Sequence, residues 1–529
     1  MPQRFTLTII PTGGSVTKTT ASSGDLVVAL DRDGTRVRTA DVGGQNFDIT
    51  QSEGEVRKCT GHKKWYATPA ATGGTWQSYL MLDDGTNITP CGVYKGKFYK
   101  FASTGEATNV DAATPVTFDT GIPVCLMQYG AYAVMGSIGK TPYKWKYGDT
   151  NLSKLITSSG ATEFKFKYLE KFHNHVIGAY SDQTNGNIDI RWTAALPSFA
   201  DLSFPAANQL YKPDSDIGIT GIKTVANMQC LVYGRSTIHN LVYDANAPIV
   251  FSLDPVASNV GAESHWSIVD TGRSHCFFDR NRGFVELQGG ASWTVISDPI
   301  LPWIQSITRT AYGAIVGVLS IGTNEVCWAI PTNGSTTPDT LIYYNLISKQ
   351  WRREYRTVTA MLFADYQAFS TYTWTQLRTD SPNTPYWPTS GTWNSFRDSF
   401  VANILFGNTT GYSYWVSGND MDGDDYDGYR IEPITSLPDS TRAKRTQEIH
   451  FGIAGSGSFS IDAYWRAGET EQDCRAAQWE SIGSVSCATG ESNTIYFDAC
   501  GKYNQLKWGT DLKNETFRVT SIVAKGIFL

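Results

Sequence analysis

An acidic, turn-rich segment near residue 420 holds the residue types and spacing that come nearest to a metal site. Asp420, Asp422 and Asp424 stand at alternate positions, and carboxylates spaced in this way can converge on one calcium ion. The glutamate that a calcium loop carries at its twelfth position is replaced by Ile431, with Glu432 one place later. The segment therefore predicts either a structural calcium ion or ordinary Asp-Gly hairpin turns, and no other cofactor is predicted.

Motifs for catalysis are missing from the rest of the sequence. It contains no G-x-S-x-G, no H-E-x-x-H and no phosphate-binding P-loop. The two carboxylates of a glycosidase need only be close in space, so a sequence alone cannot single them out. We therefore predict that the protein is not an enzyme. The alternative is a carbohydrate-binding or carbohydrate-cleaving β-propeller, since aromatic residues, 13% of the chain, suit sugar stacking as well as core packing.

Composition narrows the class of protein further. Aromatic, threonine and glycine residues are abundant, which favours strands joined by tight turns. The formal charge of −6 argues against a protein that reads nucleic-acid sequence, although it allows one that DNA merely passes. The sequence has no run of about 18 apolar residues, so no membrane-spanning helix is predicted. The amino-terminal residues lack the layout of a signal peptide.

The nine cysteines predict buried thiols and a reducing compartment. No two of them have the C-x-x-C spacing of zinc or thioredoxin sites. Three lie inside apolar stretches and are expected in strand cores: Cys230, Cys276 and Cys327. A single disulfide stays open as an alternative within the group Cys474, Cys487 and Cys500.

Hairpin patterns recur along the chain. Each consists of two apolar strands joined by a turn rich in glycine and asparagine. They are found at 78–101, 131–147, 175–192, 230–243, 275–287, 325–345 and 402–416. Most follow one another at intervals of roughly 45 to 55 residues, which is the length of one four-stranded sheet. The pattern predicts an all-β, β-propeller-like main domain; a stack of irregular β-sandwiches is the alternative.

The boundaries of the predicted domains lie where the sequence departs from this regular spacing of hairpins. Residues 1–55 form an amino-terminal β segment, and residues 56–440 form the propeller-like domain. Residues 441–529 alternate strictly between apolar and polar side chains, which predicts a carboxy-terminal β-sandwich. The propeller-like domain carries an insertion at 364–400 that is rich in tryptophan and proline.

The insertion at 364–400 is the first candidate for a gate loop or a subunit contact. Its prolines exclude a regular central strand or helix: Pro382, Pro385 and Pro388. Long loops in compact proteins usually act in function or contact a neighbour. Exposed tryptophan is costly, so three side chains are expected to anchor the loop on its own sheet or on another subunit: Trp374, Trp387 and Trp393.

The most specific sequence pattern of the chain lies in residues 230–300. Small and aromatic residues occur there in a fixed order: Tyr233-Gly234-Arg235-Ser236, Gly261-Ala262, Ser267-Ile268-Val269, Gly283-Phe284, Gly289-Gly290 and Ile296-Ser297. This order resembles the tail hub and nozzle proteins of short-tailed bacteriophages, which include the packaged-DNA stabilisation proteins. The tryptophan-rich insertion and the closing sandwich, with its Gly455-Ser456-Gly457, are similar to the same family, and the resemblance covers about residues 55–529.

The resemblance implies a structural virion protein of the tail, assembled in the cytoplasm of the host bacterium. It implies a homo-oligomeric ring, six subunits in the family, below the portal and a tail adaptor protein. Tail fibres or spikes would attach outside, and double-stranded DNA would pass inside without sequence-specific contacts. The ring would retain packaged DNA and conduct it during ejection. A third class left open is an internal scaffold or tail component that never meets DNA.

Overall fold

The structure is a computed structural model, and the chain is all-β as predicted. It describes residues 4–9, 27–30, 36–38, 43–48, 56–102, 105–110, 117–155, 164–194, 203–213, 218–226, 228–289, 292–364, 403–432, 434–436, 441–453, 459–487, 493–512 and 518–529.

Within these residues, seven antiparallel four-stranded sheets follow one another along the chain. The first sheet contains β8 (Trp76–Asp83), β9 (Ile88–Tyr94), β10 (Lys97–Phe101) and β11 (Ala107–Asn109). The second contains β12 (Cys125–Tyr129), β13 (Tyr132–Ser137), β14 (Lys140–Lys146) and β15 (Ser153–Lys154). The third contains β16 (Tyr168–Phe172), β17 (His175–Ala179), β18 (Asp189–Trp192) and β19 (Gln209–Tyr211). The fourth contains β20 (Gly221–Val225), β21 (Gln229–Tyr233), β22 (Thr237–Tyr243) and β23 (Phe251–Ser258). The fifth contains β24 (Val269–Asp270), β25 (Ser274–Asp279), β26 (Gly283–Gln288) and β27 (Ser292–Val295). The sixth contains β28 (Val316–Ser320), β29 (Glu325–Ile330), β30 (Thr340–Asn345) and β31 (Trp351–Tyr355).

The seventh sheet is built from both ends of the propeller sequence. It contains β32 (Ala360–Ala364), β33 (Asn403–Gly407), β34 (Ser413–Val416) and, as its outermost strand, β7 (His62–Lys64). The register pairs Tyr414 with Lys64 and Val416 with His62. A strand that precedes the first sheet therefore completes the last one.

The seven sheets form a closed ring. The first strand of each sheet contacts the first strand of the next, and β32 of the seventh sheet contacts β8 of the first. The first strands thus surround a common axis and the fourth strands lie outside, which is a propeller-like arrangement. The inner edge of each sheet has no strand partner, but it is short and is protected by the neighbouring first strands.

A separate apolar cluster fills each interface between neighbouring sheets. Trp145 lies between the first and second sheets, and Trp192 between the third and fourth. Trp328 packs between the fifth and sixth sheets, and Trp76 between the seventh and first. These indole rings are almost fully buried. Burying a large apolar side chain contributes about 1.5 to 3 kcal/mol, so every interface helps to hold the ring together.

The second body is a β-sandwich that uses strands from both ends of the chain. One sheet holds β1 (Arg4–Ile9), β2 (Val27–Leu30), β3 (Arg36–Arg38), β5 (Phe47–Asp48), β6 (Val56–Lys58), β36 (Lys444–Ile453), β39 (Thr494–Gly501) and β41 (Arg518–Phe528). The other holds β4 (Gly43–Gln45), β35 (Gly428–Ile431), β37 (Ser460–Gly468), β38 (Glu480–Ser486) and β40 (Tyr503–Thr510). Their inner faces bury Phe451, Trp508 and Ile522. Strand β1 pairs along its whole length with β41.

Helical turns are short. The described residues contain two α-helices, α1 (Leu301–Ser306) and α2 (Glu471–Ala476). Single 3-10 turns occur at Gly186–Ile188, His265–Ser267, Asp298–Ile300 and Arg309–Ala314. All nine cysteines lie within the described residues, and each is a free thiol. The alternative of a disulfide is therefore wrong, and eight of the nine thiols are buried as small core side chains.

A buried ion-pair network joins the sixth sheet to the sandwich. Arg352 donates to both carboxylate oxygens of Glu325, Nε to Oε1 at 3.0 Å and Nη2 to Oε2 at 2.9 Å. It also pairs with Glu354, whose second oxygen lies 3.0 Å from Arg356 Nη2. Arg352 Nη1 lies 3.5 Å from the sulfur of Cys59, the residue after β6. Arg352 Nε also lies 4.0 Å from Asp48 Oδ1 in β5, so the outer strand of the ring is tied to the sandwich by charge as well as by packing.

Candidate functional site

A cavity opens where the first strands of the first four sheets approach the axis of the ring. Its volume is about 260 Å³. The lining residues belong to β8, β12, β16 and β20 and to the 3-10 turn His265–Ser267. Four of the lining residues are apolar: Leu80, Leu126, Met127 and Leu169. The remaining lining residues are polar or titratable: Cys125, Gln128, Glu170, Lys171, Lys223 and His265. We refer to this space as the axial cavity.

An ion pair crosses the axial cavity between the third and fourth sheets. Glu170 Oε2 lies 3.5 Å from Lys223 Nζ, and Thr224 Oγ1 donates to Glu170 Oε1 at 3.1 Å. The charge of Glu170 raises the pKa of Lys223, so the ammonium form is favoured. The Lys223 side chain keeps 36% of its surface exposed, whereas the Glu170 side chain keeps 12%. The pair therefore presents its cation, more than its anion, to the cavity.

A chain of buried hydrogen bonds holds Thr224 in place behind this pair. His275 Nε2 donates to the Thr224 carbonyl oxygen at 3.1 Å, and the Tyr233 hydroxyl donates to His275 Nδ1 at 2.6 Å. Burial lowers the pKa of His275 to about 4, so its imidazole is neutral and has one donor and one acceptor nitrogen, as these contacts require. Three neighbouring sheets thus fix the position of Glu170 through Thr224.

A thiol and an imidazole meet on the other side of the cavity. Cys125 Sγ lies 3.8 Å from His265 Nε2, and the backbone N–H of Ile222 donates to His265 Nδ1 at 3.4 Å. The Nε2 atom therefore carries the proton and points it at the sulfur. Burial raises the pKa of Cys125 to about 11 and lowers that of His265 to about 3. The imidazole is a donor to a neutral thiol, which is the reverse of the base and nucleophile pairing that cysteine catalysis needs.

A second feature lies on one face of the ring. The turns between first and second strands and between third and fourth strands all lie at the same end of the sheets, and we name this end the turn face. Among the described residues, six exposed large apolar side chains lie in or beside these turns: Ile88, Tyr147, Met228, Ile249, Ile321 and Ile347. Met228 and Ile347 each expose 76% of their surface. The opposite end of the described ring has Tyr211, Leu301 and Tyr355.

Two of the three aspartate side chains of the candidate calcium loop contact other groups, and the third aspartate takes part in a turn through its backbone. Asp422 Oδ2 lies 2.5 Å from Lys64 Nζ, and Asp420 Oδ1 accepts from the backbone N–H of Gly423 at 2.9 Å. The backbone N–H of Asp424 donates to the Met421 carbonyl in a tight turn. No group of three or more His, Cys, Asp or Glu side chains in the described parts of the chain is arranged to hold a metal. The structural calcium ion stays a prediction.

The three tryptophans of the insertion, Trp374, Trp387 and Trp393, lie outside the described residues. The strands that flank them are described: β32 ends at Ala364 and β33 begins at Asn403, and these two residues are paired. Because β32 and β33 are the first two strands of the seventh sheet, the chain leaves and re-enters this sheet on the turn face. Across the described residues, no helix combines the length and the apolar character that crossing a membrane requires.

Sequence reasoning did not identify the residues of the axial cavity. Glu170, Lys223 and His265 come from three separate segments, and each is flanked by residues of ordinary strands or turns. A usable signal was the presence of charges inside two short apolar strands, YLEKF and GIKTV. A charge in the innermost strand of a sheet must face an open axis or a partner, because the sides of that strand are packed.

Comparison with known proteins adds little. No protein-family profile matches the chain, and no curated protein matches it. Among solved structures, it is similar to the computationally designed Ika8 protein, with a TM-score of 0.36 and 11% identity, over 72% of this chain and 98% of that chain. The propeller-like arrangement therefore rests on the strand pairing and the ring of contacts described above.

Proposed function

We propose that the protein is a structural component of a bacteriophage tail, a hub or nozzle subunit that assembles into a ring below the portal and adaptor. The ring retains packaged DNA and conducts it during ejection. The observation that carries the proposal is the set of exposed apolar side chains on the turn face. The resemblance of residues 230–300 to tail hub and nozzle proteins supplies the identity of the assembly.

The apolar contribution of the turn face is large enough to support a contact between subunits. Fully burying one such side chain contributes about 1.5 to 3 kcal/mol, and these six expose between 46% and 76%. Together they would contribute on the order of 5 to 10 kcal/mol, comparable with the roughly 4 to 15 kcal/mol that association costs. A single contact of this kind is marginal. A closed ring needs two complementary surfaces on every subunit, and the turn face would supply one of them.

The net negative charge of the chain is compatible with a channel through which DNA must move. Tight phosphate binding needs clustered lysine and arginine, and each neutralised phosphate would add resistance to transit. With a formal charge of −6, the protein has no general attraction for the duplex. Specific partners, the adaptor above and fibres or spikes outside, would bind through surface contacts on the ring.

The test compares assembly with and without the turn-face side chains. Negative-stain imaging and solution mass are measured for the purified protein, alone and with the adaptor. Rings are expected for the wild type, and the double variant Met228→Ser, Ile347→Ser should shift the population to monomers. Both side chains are mostly exposed, so the variant should fold normally. Tyr211→Ser, which is 49% exposed at the opposite end, is the matched control and should assemble like the wild type.

Two results would contradict the proposal. Turn-face variants that form rings as readily as the wild type would remove its supporting observation. A persistent monomer that releases reducing sugar from host polysaccharide would favour the carbohydrate-active alternative. That alternative needs two carboxylates across a cleft. The lining of the axial cavity supplies one, Glu170, and that one is already paired with Lys223.

A further inference from the structure

The outer face of one sandwich sheet carries tyrosine rings on nearby strands. Side chains alternate between the two faces of a strand, and Arg430 in β35 and Ala463 in β37 are fully buried inside the sandwich. Tyr429 and Tyr464, which adjoin them in sequence, therefore lie on the outer face, where both are half-buried. Lys507 of β40 is paired directly with Tyr464 and shares this face.

Lys507 lies between the two rings. Its ammonium nitrogen is 4.2 Å from the centre of the Tyr429 ring and 5.3 Å from the centre of the Tyr464 ring. Because β40 separates β35 from β37, the strands that carry the two tyrosines are about 10 Å apart. The face thus offers two aromatic surfaces with a hydrogen-bond donor between them, and one sugar-sized ring cannot lie on both.

A glycine leaves room beside the tyrosines. Gly509 of β40 is paired with Tyr429 on one side and with Asp462 on the other. A Cβ at this position would lie 2.1 Å from the Gly428 carbonyl oxygen, so only glycine fits. The middle strand therefore projects no side chain between Tyr429 and Asp462.

The outer strand of the sixth propeller sheet continues this surface. Tyr355, at the end of β31, is 42% exposed, and its backbone N–H donates to the Asn46 side chain at 3.0 Å. Asn46 directly follows Gln45, the residue of β4 that is paired with Tyr429. Burial raises the pKa of Tyr429 and the charge of Arg353 opposes this shift, so these two side chains are close. The Arg353 guanidinium also lies 5.3 Å from the centre of the Tyr355 ring. Three residues form what we call the tyrosine strip: Tyr355, Tyr429 and Tyr464.

The charges around the tyrosine strip are of both signs. Two cations and three carboxylates act on its rings or hydroxyl groups: Arg353, Lys507, Asp427, Asp462 and Asp511. Together they carry one net negative charge, so the strip does not attract a polyanion. A neutral polymer rich in hydroxyl groups fits this mixture, because each hydroxyl can donate to a carboxylate and accept from an ammonium group. The tyrosine rings supply the apolar surface on which a sugar ring stacks.

We propose that the tyrosine strip binds a neutral polysaccharide. Sugar rings stack on the tyrosines, and sugar hydroxyl groups bond with Lys507 and with the solvent-exposed carboxylate of Asp511. The ligand is a polysaccharide rather than a single sugar, because the three rings stand on three different strands. The strip is separate from the turn face, so binding does not depend on ring assembly.

The test measures binding of four neutral hexasaccharides to the full-length protein: cellohexaose, maltohexaose, mannohexaose and N-acetylchitohexaose. Saturation-transfer NMR and isothermal titration should show saturable binding of at least one of them, in the millimolar range or tighter. Tyr464→Ala removes one stacking surface and should weaken that binding by roughly three- to tenfold. Tyr496→Ala is the matched control and should bind like the wild type, because this ring is 76% exposed on β39 of the other sheet.

Salt dependence separates a neutral ligand from a charged one. Affinity for the hexasaccharide should stay the same between about 50 and 500 mM salt, since no ion pair with the ligand is formed. No saturable binding of any of the four sugars would overturn the proposal. Tighter binding of single-stranded DNA, whose bases also stack on aromatic side chains, would overturn it as well. Should Tyr464→Ala fail to fold, Tyr355→Ala replaces it, because this side chain is 42% exposed and its loss should weaken binding while the fold is unchanged.

Discussion

Replacing Arg352 by methionine should produce one of the largest losses of stability in the ring. Glu325 is 1% exposed, and both of its hydrogen bonds from Arg352 would be lost, leaving a buried carboxylate without a cation. Glu354 would keep Arg356 at 3.0 Å. Removing one partner of a buried ion pair costs about 3 to 5 kcal/mol, most of it from the charge left behind. The contact of the guanidinium with the Tyr343 ring, at 3.6 Å, would be lost as well.

The assay is urea unfolding at pH 7, followed by tryptophan fluorescence. Trp351 adjoins Arg352 and Trp328 lies in the same sheet, so the signal reports on this region. The double variant Arg352→Met, Glu325→Leu should regain at least half of the lost free energy of unfolding, because no carboxylate of Glu325 remains to be buried. Arg445→Met breaks an exposed pair with Asp498 and should leave the midpoint unchanged. A loss below about 1 kcal/mol for Arg352→Met, or no recovery in the double variant, would refute the reasoning.

Three further outcomes are expected. Because the fold holds the pKa of His265 near 3, against an ordinary 6.5, the unfolded chain binds this proton first as pH falls. Stability should therefore be full above pH 6.5 and lower by roughly 2 kcal/mol per such histidine at pH 5; denaturant midpoints across this range should fall less steeply in His265→Gln. Gly407→Ala places a Cβ 2.4 Å from the Trp76 ring and should cost about 1 to 3 kcal/mol by thermal unfolding, whereas Gly121→Ala, with open space around it, should cost nothing measurable; equal melting temperatures would contradict the packing. Native protein should present one fast thiol, Cys500, to a thiol reagent, and denatured protein nine; more than one fast thiol without denaturant would show that buried cysteines are accessible.

Local sequence pattern predicted the central hairpin of every sheet. The patterns at 175–192, 230–243 and 325–345 correspond to β17–β18, β21–β22 and β29–β30, the second and third strands of their sheets. These strands are largely buried and therefore carry apolar runs, and the connections of three to nine residues between them carry clear turn signals. Outer strands such as β15 and β19 have two or three residues and little pattern of their own.

Pairings between distant segments were beyond the reach of such patterns. The strand β1 reads as an ordinary alternating strand, and nothing local indicates that it pairs with β41. β35 precedes residue 441 yet lies between β40 and β4 of the sandwich. The axial cavity depends on the same kind of information, because Glu170 and His265 meet only after the ring has formed. Register between strands far apart in sequence is set by the shared core, not by either strand alone.

The early position of the strand β7 in the sequence also affects the timing of folding. It pairs with β34, whose residue Tyr414 follows its partner Lys64 by about 350 residues. At a synthesis rate of roughly 5 to 20 residues per second, β7 waits about 20 to 70 seconds after leaving the ribosome before its partner exists. Strand β1 waits longer still for β41. Meanwhile the edges of these early strands are unpaired and can join another chain. Production of the protein should therefore be limited by protection of the newly made amino-terminal strands, and slower synthesis should lengthen, not shorten, their exposure.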